Sequence, residues 1–146
     1  MQYDFPLLFA GGSTLAALGW LGLAVLPLVP RWRQSILVAT GIAIPLVLAV
    51  VYTVLVALWM PFAEGGFGSI GEVRRLFADD ALLVAGWLHY LAFDLFVGTW
   101  IVREAERLNV RHASLLPALA LTFLFGPAGL LLFSAQRMPL RRLAAR

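Results

Sequence analysis

Four long stretches free of Asp, Glu, Lys and Arg, apart from one aspartate, constrain the fold of this chain more than any other feature. They cover residues 5–30, 34–63, 81–102 and 113–136. Each reaches the roughly 20 apolar residues that a helix needs to cross about 30 Å of hydrocarbon. Backbone polar groups in lipid must be bonded within the segment, so helices are the economical solution.

We therefore predict an all-α integral membrane protein. Its fold class is a four-helix transmembrane bundle in one domain, 1–146, with spans at about 5–29, 35–61, 81–102 and 114–136. Only 13% of the residues are charged, whereas a soluble domain carries about a quarter. The first span lacks a basic start and leads directly into the second, so we do not expect a cleaved signal peptide or an organelle-targeting extension.

The connection between the second and third spans predicts a short amphipathic helix at about 70–78. Ser69 and Glu72 match a capping box, and the apolar residues that follow lie opposite two arginines. Such a helix is expected at the membrane interface. Asp79 or Asp80 is expected to cap the third span. The sequence leaves open whether this segment is a plain surface loop or a lid over a binding site.

The charged residues favour lipid headgroups as partners. The net charge is +3, and the basic residues flank the spans without clustering on one face, so nucleic-acid binding is not expected. With four spans, six arginines lie on one side and five on the other, which leaves the orientation open under the positive-inside rule. The chain has no cysteine, and one His with one Asp falls short of a metal ligand set, so no metal or other cofactor is expected.

An acid inside the third span is the most informative single residue. Asp94 and His89 each lie within about 4 Å of the centre of this span at the helical rise per residue. An ionised carboxylate at that depth costs about 2.5–3.5 kcal/mol on insertion scales. We therefore expect Asp94 to face the bundle interior and to be protonated there, because desolvation disfavours the charged form.

Helical geometry sorts the neighbours of this acid. At 100° per residue, Trp87 and Tyr90 share a face with Asp94 to within about 40°. His89 lies about 140° away by the same geometry, beside Phe93. Packing alone is the competing interpretation of the aromatic residues, and a satisfied structural histidine is the competing interpretation of His89.

Depth matching between spans predicts hydrogen-bond partners for Asp94. Trp20 and Thr122 fall at its depth, and so does the carbonyl of Phe123, which Pro127 should release by lacking an N–H. We predict that Asp94 donates to this carbonyl or accepts from Trp20 or Thr122.

Two motifs carry a family resemblance. They are FGSIGEVRRLFADDALLVAGWLHYLAFDLFVG, residues 67–98, and LLPALALTFLFGPAGLLLF, residues 115–133. Together with the layout of the spans, they resemble the family named for the plant abscisic-acid-deficient-four protein, a membrane protein required to make neoxanthin from violaxanthin. The resemblance implies a carotenoid or another long isoprenoid as the ligand.

The implied chemistry is the non-redox isomerisation of an epoxide end group to an allene. It needs one acid and one base in a dry, apolar slot. The resemblance suggests Asp94 as the acid, with His89 or a group linked to Tyr90 as the base. The expected ligand-binding residues are Trp87, Phe93, Trp20, Thr122, Gly126 and Pro127.

Two other functions remain open at this stage. One is a non-catalytic accessory protein that binds a carotenoid or another lipid. The other is a small proton-linked transporter that uses Asp94 and forms a homo-oligomer, since one protomer offers only a narrow path. No transit segment is expected, and the chain contains no lysine. Both features indicate a bacterial homologue in the inner membrane.

Overall fold

A computed structural model of the chain describes residues 4–144, with side chains described through residue 138. This part of the chain contains helices and no strand, which confirms the all-α prediction. The α-helices are α1 (Phe5–Ala24), α2 (Arg33–Val38), α3 (Ile44–Trp59), α4 (Ile70–Leu76), α5 (Asp80–Arg107), α6 (Leu116–Phe125) and α7 (Pro127–Ala144).

Three helical segments are long and apolar enough to cross a membrane: Phe5–Ala24, Pro30–Phe62 and Asp80–Arg107. They correspond to the first three predicted spans, whereas the predicted count of four is not confirmed. The central helix is α5, which packs against both α1 and α3. Two glycines bring α1 close to it, because a Cβ at Gly12 would overlap Leu88 and one at Gly19 would lie 2.8 Å from the Leu95 side chain.

Pro45 lies just after a π-helical turn in the second helical segment. Residues Ala39–Ala43, just before the proline, form a π-helical segment between α2 and α3. Proline cannot donate a backbone hydrogen bond and clashes with the preceding turn, which favours such a bulge. The hydroxyl of Thr40 donates to the Ile36 carbonyl at 2.8 Å, and the Thr99 hydroxyl lies 2.9 Å from that of Thr40. The bulge is thereby tied to α5.

The connection before α5 forms the short helix that the sequence predicts. The Ser69 hydroxyl accepts a hydrogen bond from the Glu72 amide at 3.2 Å, and α4 ends at Leu76, two residues earlier than predicted. The Asp79 carboxylate accepts from the Ala81 amide at 2.9 Å and so caps α5. The interfacial position of α4 stays a prediction.

The predicted fourth span is divided into two helices that fold back on each other. Three contacts follow α5 from its middle to its end: Asp94 with Gly126 in the turn, and then Trp100 with Phe133 and Glu104 with Arg137 of α7. Therefore α7 runs parallel to the second half of α5. A Cβ at Gly129 of α7 would overlap Ala118 and Thr122 of α6, so the two helices lie in direct contact. Segment 114–136 is thus a helical hairpin, not one continuous span.

Gly126 and Pro127 make the reversal possible. Gly126 has φ 46° and ψ −96°, a conformation that residues with a side chain rarely adopt. Pro127 follows as the first residue of α7, where its missing N–H costs nothing. The 10 residues of α6 extend about 15 Å, half the thickness of the hydrocarbon layer. The turn consequently reaches the depth of Asp94 and no further.

Candidate functional site

The site is built around Asp94, which lies near the midpoint of the 28-residue helix α5. Each end of this helix is therefore about 20 Å from Asp94. The side chain is half-buried, and its Oδ2 atom is buried without a hydrogen-bond partner among the described residues. An unsatisfied buried polar atom costs about 1–3 kcal/mol. Such an atom calls for an explanation, and a ligand that bonds to it supplies one.

The tip of the hairpin closes one side of this carboxyl group. A Cβ at Gly126 would lie 2.8 Å from Asp94 Oδ1 and 3.1 Å from Oδ2. The backbone of the turn therefore lies directly against the carboxyl group. Gly126 thus contacts the acid through its backbone, and Pro127 begins α7 beside it; ligand binding by these two residues stays a prediction.

Tyr90 connects the acid to the hairpin. Its hydroxyl donates to the carbonyl of Phe123 at 3.5 Å, and it is close enough to Asp94 to interact with the carboxyl group. The carbonyl predicted to be available at Phe123 is therefore bonded by Tyr90, not by Asp94.

The other two predicted partners of Asp94 also bond elsewhere. The buried Thr122 hydroxyl donates to the carbonyl of Ala118 at 2.8 Å within α6. Trp20 packs over Gly98 and meets the ring of Phe123 edge-on, with centroids 5.6 Å apart. Both residues form the apolar wall near the acid. Neither residue makes the predicted hydrogen bond with Asp94.

Three aromatic rings form a continuous ladder that leads towards Asp94. Phe9 stacks on Trp87 at 5.3 Å between centroids, and Trp87 stacks on Tyr90 at 5.5 Å. We call Phe9, Trp87 and Tyr90 the aromatic ladder. The indole N–H of Trp87 donates to the Ser13 hydroxyl at 2.9 Å, which fixes the orientation of the middle ring. Phe9 is 43% exposed and Trp87 is 37% exposed, so this ladder is open on its outer side.

His89 lies in a different part of the molecule. Its ring contacts Tyr52 and Phe93 at centroid distances of 5.4 Å and 4.6 Å. It lines an apolar cavity of about 370 Å³ that also includes Phe67 and Phe77. The 140° separation inferred from the helical geometry explains this arrangement. His89 is therefore not brought together with Asp94, and Phe93 stacks away from the aromatic ladder.

The structure thus brings together Asp94, Tyr90, Trp87 and Gly126, while Trp20, Thr122 and Pro127 border them. Phe9 and Ser13 of α1 were missed in this role. They could have been identified from the order of the spans. The first and third spans cross the membrane in the same direction, so α1 and α5 are parallel and their N-terminal halves lie side by side. No cluster of three or more His, Asp or Glu side chains suitable for a metal occurs among the described residues.

These features define the class: a polytopic all-α membrane protein with a carboxyl group midway along its central helix. The family model "ABA4-like: ABA DEFICIENT 4-like" matches residues 7–133, and the chain belongs to this family. The match extends from α1 into α7, so it includes both the aromatic ladder and the hairpin tip. No curated protein and no solved structure matches the chain. The resemblance inferred from the two motifs is therefore confirmed.

Proposed function

We propose that this protein is a membrane isomerase acting on an epoxide-bearing carotenoid or a similar isoprenoid. The observation that carries the proposal is the unpartnered Oδ2 of Asp94 beside the end of the aromatic ladder. Family membership supports a role related to carotenoids and neoxanthin. The inner membrane of a bacterium stays a prediction from the sequence, as does a homo-oligomer.

The aromatic ladder suits a conjugated chain. Its rings are flat and stacked on one another, and their edges are open towards the lipid on one side, so a polyene can lie across these edges. The ladder lies along the N-terminal half of α5, and Trp87 is about 10 Å along the helix from Asp94. A long isoprenoid bound in this way presents its end group to the carboxyl group, while its chain stays in apolar surroundings.

Asp94 can supply both functions that the isomerisation requires. One oxygen of the neutral acid donates its proton to the epoxide oxygen as the C–O bond on the polyene side breaks. The other oxygen accepts the proton of the adjacent polyene carbon, whose C–H electrons form the new double bond of the allene. The acid returns to its starting protonation state, and no electrons are gained or lost. This scheme does not require His89, which lies on another face of α5.

Tyr90 is a positioning residue in this scheme, since it links the carboxyl group to the carbonyl of Phe123. We expect Tyr90→Phe to lower the conversion rate about tenfold, the effect of losing a hydrogen bond worth about 1.4 kcal/mol. Tyr52→Phe is the matched control, because Tyr52 contacts His89 and not Asp94. Rates would be measured from pigment profiles of membranes supplied with an epoxide carotenoid. Equal rates for Tyr90→Phe and the wild type would contradict this role.

A direct test uses the purified protein in lipid vesicles with an epoxide carotenoid as the substrate. The proposal predicts an allenic product of unchanged mass, identified by chromatography and mass spectrometry. If the carotenoid instead stays bound and unaltered, and no product forms when substrate is supplied in large excess over the protein, the result would support a carrier. The open ladder favours this second function because it can bind a polyene without any proton transfer.

A further inference from the structure

The hairpin changes the distribution of positive charge across the membrane. Because α7 folds back, Arg137 lies on the side where α5 ends. Its Nη1 atom is 3.5 Å from Oε1 of Glu104, and its Cζ atom is 5.1 Å from the ring centroid of Trp100. The side chains of Arg33 and Glu106 form an ion pair at the same end. The described arginines on this side are Arg31, Arg33, Arg103, Arg107, Arg111 and Arg137, and those on the other side are Arg74 and Arg75.

This distribution assigns an orientation to the chain. Segments rich in arginine remain on the cytoplasmic side of a membrane. The end of α5 at Arg107 is therefore cytoplasmic, and the N-terminal end of α1 and the helix α4 are on the opposite side. The four-span prediction divides the arginines almost evenly between the two sides, so it leaves the orientation open.

The hairpin also covers only one half of the central helix. In the cytoplasmic half, Ile101, Val102 and Ala105 of α5 are completely buried in a cluster that includes Leu119 and Phe133 of the hairpin. The turn at Gly126 ends this cover at the level of Asp94.

In the other half, the same face of α5 is covered much less. Its Trp87 contacts Phe9 and Ser13 of α1 but stays more than one-third exposed. Between α1 and the hairpin tip, this face of α5 is therefore partly exposed, and the aromatic ladder lies along it. We call this partly exposed face the lateral opening.

We propose that the substrate reaches Asp94 sideways from the non-cytoplasmic leaflet, through the lateral opening. The inference rests on the proposed function, since it takes Asp94 as the reacting group. Packed side chains of the hairpin close the path from the cytoplasmic half. A lipid that diffuses in the non-cytoplasmic leaflet meets the exposed edge of the ladder directly. The substrate class is thus a long isoprenoid whose reacting end group lies deep in that leaflet.

Two exposed alanines provide a matched blocking test. Ala10 lies next to Phe9 on α1 in the non-cytoplasmic half, and Ala120 lies on the outer face of α6 in the cytoplasmic half. We expect Ala10→Trp to lower both conversion and the retention of an epoxide-free carotenoid at least tenfold. Ala120→Trp should change neither by more than about twofold. Equal effects, or a loss confined to Ala120→Trp, would overturn the proposed route.

Retention of the epoxide-free carotenoid separates this proposal from the proposed function. The route is supported if the wild type and Ala120→Trp retain the pigment and Ala10→Trp does not. This result supports the route even when no epoxide is converted. A wild type that retains no carotenoid overturns the route. Because the chain has no cysteine, Phe67→Cys and Gln136→Cys also test the orientation with a membrane-impermeant thiol reagent in intact bacterial cells. We expect labelling of Phe67→Cys alone, and labelling of both would contradict the inference.

Discussion

Asp94→Asn is expected to lower the conversion of an epoxide carotenoid by at least about 100-fold, the usual scale for removing a general acid–base group. Asparagine has nearly the same shape as aspartic acid, so the contact with Gly126 is preserved. It lacks the proton that the epoxide oxygen must receive. The variant should therefore fold, and it should retain an epoxide-free carotenoid as well as the wild type does. Chromatography of pigments from vesicles containing each variant provides both measurements.

Glu64→Gln is the matched control for this substitution. It makes the same acid-to-amide change at an exposed residue in the connection before α4, so the rate should stay within about twofold of the wild type, as for most surface substitutions. Undiminished conversion by Asp94→Asn would show that the carboxyl group does not take part in the chemistry. Loss of carotenoid retention together with conversion would indicate a structural role.

Gly129→Ala is expected to cause the largest loss of stability among single-methyl additions. The new Cβ would overlap the Thr122 hydroxyl and the carbonyl oxygen of Ala118, so the backbones of α6 and α7 would have to separate. Overpacking of this kind costs about 1–3 kcal/mol. Separation of the helices also moves the turn at Gly126 away from Asp94, and conversion should fall with stability. Denaturant unfolding in detergent would measure the free energy change.

Gly11→Ala is the matched control for the hairpin substitution. No atom lies within 4 Å of the Cβ that this change adds to α1. Alanine is favoured over glycine in a helix by about 0.5–1 kcal/mol, so this variant should be slightly more stable than the wild type. If Gly129→Ala were as stable as Gly11→Ala, the close packing of α6 on α7 would be incorrect.

Local sequence signals predicted several local features of the structure correctly. The caps at Ser69 and Asp79 follow from side-chain chemistry within a few residues. The shared face of Trp87 and Asp94, and the separation of His89 from it, follow from the period of one helix. These relations survive because none of them depends on how separate helices meet.

The hairpin could not be predicted in this way. A proline within an apolar stretch indicates either a kink or a reversal, and the sequence pattern is the same for both. The choice depends on the positive φ of Gly126 and on the close approach at Gly129, which are tertiary features. The hydrogen bonds predicted for Asp94 were wrong for a related reason. With α6 in this position, Thr122 donates to the Ala118 carbonyl, and Tyr90 donates to the Phe123 carbonyl that was predicted for Asp94.

Cysteine cross-linking across the hairpin tests the architecture of the site most directly. The rings of Trp100 and Phe133 meet edge-on with their centroids 5.8 Å apart, so a short bifunctional thiol reagent should link the two cysteines of Trp100→Cys/Phe133→Cys. In a continuous fourth span, Phe133 would instead reach the level of Trp87, about 20 Å from Trp100. Cross-linking of Trp100→Cys/Phe133→Cys, with none in Trp87→Cys/Phe133→Cys, is the predicted result. The reverse pattern would show that the hairpin does not close on Asp94.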